Sequence, residues 1–113
     1  MVELLPVPRC PRCAEVLKPD VVMFGELLPA GPMVEASERV LGARLLLVVG
    51  SSLEVYPVAG LPEDGLQAGA RLAIVNRGPT PFDGRADVVI DASAGETLAA
   101  ALELIDAAAP GEL

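Results

Sequence analysis

Leu45-Leu46-Leu47-Val48-Val49-Gly50-Ser51-Ser52 is the stretch that decides the fold. Five aliphatic residues without polar alternation read as a strand buried on both faces, the pattern of a parallel sheet. Two more apolar, β-branched runs, Arg71 to Val75 and Asp87 to Ile90, have the same character. Helical patterns lie around them. Pro32 to Leu41 opens after Gly31 and ends at Gly42. Leu61 to Ala68 carries Pro62, Glu63 and Asp64 in its first turn and stops at Gly69. Its interior Gly65 weakens it by ~1 kcal/mol relative to alanine. Gly95 to Ala109 is rich in alanine and leucine and halts at Pro110-Gly111. The alternation reads β-α-β-α-β-α, hence an α/β fold with a parallel sheet and right-handed crossovers. That is one mononucleotide-binding half of a Rossmann-like domain, three parallel strands with flanking helices. Val21 to Phe24 is a weaker strand candidate.

Composition sets the limits. The chain has 113 residues, one domain or a piece of one, and 52% are hydrophobic. Phe24, Tyr56 and Phe82 are its only aromatic residues, so the core must come from Leu, Val, Ala and Ile. Net charge is −8, with Lys18 the single lysine. No basic stripe exists, which argues against nucleic acid as the main partner. No apolar run approaches the ~20 residues of a membrane span. Met1 to Pro8 is broken by proline and carries Glu3 where a signal peptide needs positive charge. The expectation is a soluble, cytoplasmic protein.

Three groups of residues could carry chemistry. Cys10 and Cys13 are spaced C-x-x-C, as in one zinc knuckle. Four ligands make a structural zinc site, and the chain offers two cysteines and no histidine. Half a zinc site, inert thiols and a redox pair all remain open readings. Val22-Met23-Phe24-Gly25-Glu26 reads as the end of an edge strand with a turn. Gly50-Ser51-Ser52 ends one strand and Asn76 ends the next, and ligands in such sheets bind beyond the carboxyl ends of the strands. Gly50 lets the backbone approach a nucleotide, while Ser51, Ser52 and Asn76 offer groups for ribose or phosphate oxygens. An ordinary strand-end turn is the other reading.

Five segments occur in a telling order: C-P-R-C (Cys10 to Cys13), K-P-D-V-V-M-F-G-E (Lys18 to Glu26), L-L-L-V-V-G-S-S-L-E-V-Y-P (Leu45 to Pro57), I-V-N-R-G-P-T-P-F-D (Ile74 to Asp83) and A-D-V-V-I (Ala86 to Ile90). Together they resemble the C-terminal half of the catalytic domain of the sirtuins, NAD-dependent protein-lysine deacylases. The resemblance implies that residues 1–19 are a remnant of a zinc-binding module and 20–113 the C-terminal half of a sirtuin-type Rossmann domain. It implies that Cys10 and Cys13 are two of four zinc ligands, the other pair lying upstream in a sirtuin. The glycines that usually follow the second cysteine are replaced here by Ala14-Glu15. It also implies that Val22 to Glu26 pairs by its backbone with an acyl-lysine peptide, as in β-augmentation. Val22, Phe24 and Gly25 then line the acyl-lysine channel. Gly50, Ser51, Ser52, Asn76 and Ala94 become the distal NAD site.

A sirtuin's first half also carries a Gly-Ala-Gly-Ile-Ser loop, a Gln-Asn-x-Asp segment and a base histidine, none of which occurs in this sequence. The leading expectation is therefore a truncated sirtuin-like deacylase fragment, inactive alone, that binds NAD weakly and holds zinc only if another chain or segment completes the site. Its partners would be an acyl-lysine peptide and either a second copy or a separately encoded N-terminal half. A non-catalytic binding or assembly module is the alternative, and a fragment without function is a third.

Overall fold

In the computed structural model, which describes residues 6–108, three parallel strands stand in the order β1-β2-β3: β1 (Leu45–Val49), β2 (Arg71–Val75) and β3 (Val88–Ile90). Leu46 pairs with Leu72 and Val48 with Ile74, while Ala73 pairs with Val88 and Val75 with Ile90. The expected α/β class and parallel sheet are therefore what the chain builds. Flanking helices are α1 (Ala30–Leu41), α2 (Leu61–Gln67) and α3 (Ala94–Ala107). Ala109 and Pro110-Gly111, expected to finish the last helix, lie outside the described residues.

One sheet face is packed. Leu46, Val48, Leu72 and Ile74 share it by register, under Leu66 of α2 and the loop residues Leu53 and Phe82. Leu72 and Ile74 are fully buried, a contribution of about 2 kcal/mol each from burial. Gly65 makes this packing possible. A Cβ there would run into Leu46, so glycine lets α2 lie close to the sheet at the cost of helix propensity.

The other face is not covered. Leu45, Leu47, Val49, Val88 and Ile90 are exposed, and of the strand residues on this side only Val75 is buried. No residue of α3 is buried either. Burial on both faces is the expectation for all three strands and holds only for the centre of β2, because the described residues supply one covering layer. The radius of gyration, 19.3 Å, far exceeds the ~13 Å of a compact domain of this size.

Other departures have local causes. No strand forms at Val21 to Phe24, since no neighbouring strand is there to pair with it. No α-helix links β2 to β3, because Gly78-Pro79 and Pro81 break the segment. A short 3-10 turn, Asp83–Arg85, takes its place. Asp83 holds this turn by accepting the Thr80 hydroxyl at 2.6 Å and the Thr80 N–H at 3.1 Å. Those two bonds keep the Asp83 carboxyl below its ordinary range. Helix α1 begins at Ala30, ahead of the expected Pro32, because proline is tolerated in a first turn. Asp87 falls just outside β3, and its carboxylate accepts the Leu72 N–H at 2.9 Å. No helix among the described residues is long and apolar enough to cross a membrane.

Candidate functional site

The carboxyl end of β1 divides two clefts between successive residues. Gly50 turns the chain with φ +65°, its N–H still held by the Val75 carbonyl at 2.8 Å. Such a φ suits glycine, which has no Cβ to clash. Ser51 Oγ accepts the Leu53 N–H at 3.2 Å. Leu53 itself sits in the left-handed region at φ +56°, a cost of ~1–2 kcal/mol. Burial of its side chain in the core offsets that cost and pins the loop in place.

The first cleft, about 360 Å³, brings Gly50, Asn76 and Ala94 together and adds Arg77 and Ser93. Its floor is the pair of strand ends, since the Asn76 N–H bonds the Ile90 carbonyl at 3.1 Å. Asn76 Nδ2 donates to the Gly78 carbonyl at 3.4 Å, and the Gly78 N–H donates to Asp91 at 2.9 Å. The amino end of α3 opens onto the same space, with Ser93 as its cap and no side chain bonding its first N–H groups. This donor set suits a ligand with hydroxyl or anionic groups. Arg77 was not singled out from sequence, although it directly follows Asn76.

The second cleft, about 450 Å³, is lined by Val22 to Glu26 on one side and by Ser51, Ser52 and the following loop on the other. Of the five expected nucleotide contacts, Gly50, Asn76 and Ala94 thus line the first cleft and Ser51 and Ser52 line the second. Val55, Tyr56 and Ala59 also line this groove and had no assigned role. The segment L-E-V-Y-P, which contains Val55 and Tyr56, is the available clue in the sequence. Glu26 accepts the Met23 N–H at 2.8 Å and pairs with Lys18 at 2.9 Å. The Met23 N–H first, then the Lys18 ammonium, hold its carboxyl below the ordinary glutamate range.

Cys10 and Cys13 stand on a separate tight turn. The Cys10 N–H bonds the Glu15 carbonyl at 2.8 Å and its carbonyl accepts the Ala14 N–H at 2.9 Å. Ala14 adopts φ +62°, the left-handed geometry that glycine normally supplies, so the tight turn forms despite the replacement. The N–H groups of Arg12 and then Cys13 lower the Cys10 thiol pKa. Among the described residues no group of three or more His, Cys, Asp or Glu side chains converges for a metal. Cys10 and Cys13 offer two sulfur donors, where a structural zinc takes four ligands.

Comparison with known proteins gives the family of the chain. The Sir2 family model matches residues 1–57. The NAD-dependent protein deacetylase of Caldivirga maquilingensis is 47% identical over 91 residues, which cover 80% of this chain and 35% of that protein. The NAD-dependent protein deacylase 2 of Archaeoglobus fulgidus is 47% identical over 93 residues, 81% of this chain and 37% of its own length. The chain thus spans little more than a third of these curated relatives. The solved structure of Sir2 bound to acetylated peptide superposes with a TM-score of 0.80 at 38% identity, covering 90% of this chain and 43% of that one.

Proposed function

The chain belongs to the Sir2 family, and from that premise we propose that it carries the distal NAD site and the acyl-lysine peptide groove of a protein deacylase, without catalytic power of its own. The observation behind this reading is the junction at Gly50-Ser51, where successive residues line two neighbouring clefts. Gly50, Asn76, Arg77 and the amino end of α3 would hold the adenosine end of NAD. NAD, when bound, would supply an electrophilic ribose carbon for the acyl oxygen, with nicotinamide as its leaving group. Val22 to Glu26 would present backbone groups to an extended peptide. It has no histidine, the side chain whose ordinary titration range suits a general base near neutral pH.

Incubation of the purified chain with NAD and an acetyl-lysine peptide is expected to release no nicotinamide above the enzyme-free control. Amide shifts should nevertheless move at Gly50 and Asn76 with millimolar NAD, and at Val22 to Glu26 with peptide. Nicotinamide release would overturn the inactivity, and still amides at both clefts would overturn the binding.

The uncovered sheet face favours a second reading, an assembly module. Leu45, Leu47, Val49, Val88 and Ile90 form an apolar surface beside the open edge of β1. Such surfaces mark interaction sites. A second copy or an N-terminal Sir2 segment would cover it, and the same partner would complete the zinc shell begun by Cys10 and Cys13. Elemental analysis finding one zinc per monomeric chain, retained in Cys10→Ser, would refute the shared zinc site.

A further inference from the structure

Residues 18–26 are ordered by one carboxylate. Packing does not order them, since Val21, Val22 and Met23 are exposed and Phe24 and Leu27 are 91% and 95% accessible. Hydrogen bonds do. The Glu26 N–H bonds the Met23 carbonyl at 3.0 Å, closing a four-residue turn whose third residue, Gly25, has φ +86°. That is the type II geometry that calls for glycine. The Glu26 carboxylate then returns to accept the Met23 N–H at 2.8 Å, so one residue satisfies both backbone groups of Met23. Lys18 closes the arrangement from outside. Its ammonium lies 2.9 Å from Glu26 and donates to the Val21 carbonyl at 3.4 Å. Lys18 is the chain's only lysine.

Val22 and Phe24 are treated differently. Among the described residues, no hydrogen bond engages the backbone N–H or C=O of either one. Residues on either side of Met23 are thus free while Met23 is occupied from within. Successive backbone groups alternate between the two edges of a strand, so a peptide pairing along the edge of Val22 and Phe24 meets no bond already made there.

We propose that the Lys18–Glu26 clamp is a positioning device for the acyl-lysine peptide: it ties off Met23 and presents Val22 and Phe24 as a one-sided template on which an extended peptide pairs. The proposal rests on the groove reading given above. Without the clamp, Glu26 releases Met23, and the segment must be ordered anew each time a peptide binds.

The test uses the whole chain and a fluorescent acetyl-lysine peptide followed by anisotropy, with amide exchange read by NMR. Glu26→Ala should weaken peptide binding about tenfold and speed exchange at Met23. Glu26→Gln keeps an acceptor for the Met23 N–H but loses the charge pairing with Lys18, so it should recover part of that loss, to about threefold. Lys18→Met should resemble Glu26→Gln. NAD-induced shifts at Asn76 should stay as in the parent chain, which a general loss of structure would not allow. Binding by Glu26→Ala that equals or exceeds the parent's would overturn the clamp. Absence of peptide binding by the parent chain would overturn the groove reading itself, and the clamp's role with it.

Discussion

The two faces of the three-stranded sheet are built from nearly the same residue types, and only one of them is covered. On the packed side, Leu46, Val48, Leu72 and Ile74 lie beneath Leu66, Leu53 and Phe82. On the other, Leu45, Leu47, Val49, Val88 and Ile90 remain in contact with solvent. Leucine and valine alternate between these fates along a single strand. Apolarity therefore marks what a finished fold has to bury, and the covering layer decides what this chain buries by itself.

The sharpest way to break that comparison is a matched pair of truncations. Leu72→Ala opens a cavity in a fully buried site and should cost about 2–5 kcal/mol, enough to unfold much of the population. Leu47→Ala, at 56% exposure, should cost far less, and urea titration of both variants reads the difference directly. Equal losses would mean that the second face is covered in solution. Gly65→Ala comes next. Helix propensity predicts a gain of ~1 kcal/mol, but the new methyl group meets Leu46, and overpacking of ~1–3 kcal/mol should outweigh it. A stabilised Gly65→Ala would show that α2 can move away from the sheet.

Leu47→Lys tests the open face without touching the packed one. Its effect on the folded monomer should stay within ~0.5 kcal/mol. Sedimentation should show any assembly of the parent chain dissociating, whereas Leu46→Lys would place charge under α2 and unfold the chain. The smallest effect belongs to Asp83. Its lowered pKa means that its contribution is present above the ordinary aspartate range and is lost as pH falls through the depressed value. Asp83→Asn should flatten that acid limb of the stability profile, and an unchanged profile would remove the Thr80–Asp83 pair from the account.

Strand bounds were legible because Leu45–Val49 and Arg71–Val75 are uninterrupted apolar runs whose ends carry polar residues or glycine. The first cleft was legible for the same reason, as Gly50 and Asn76 sit at adjacent strand ends and Ala94 heads the next helix. Periodicity could not reveal which face lacked a cover, since that depends on residues distant in the fold. Nor could it anticipate Leu53 at positive φ, where burial in the core overrides a local steric cost, or Ala14, held there by the bonds of its own turn. The division of Ser51 and Ser52 from Gly50 arises at one turn. A motif quoted as a unit conceals it.

The spacing of the strand pairs also orders events in time. β2 and β3 meet through the shorter loop, Ala73 to Val88, while β1 joins β2 only after a longer one closes between Leu45 and Arg71. Loop-closure entropy favours the shorter connection, and parallel pairing is slow when partners lie far apart in sequence. By closure alone Leu45–Val49 docks after β3, and the packing of Leu46 and Val48 into the core then holds it, so that it opens only briefly. Each brief opening frees five consecutive aliphatic residues with no charge or proline among them. Such windows seed intermolecular β-pairing. The concentration at which this chain can be handled should therefore follow the lifetime of the undocked β1 more closely than the stability of its core.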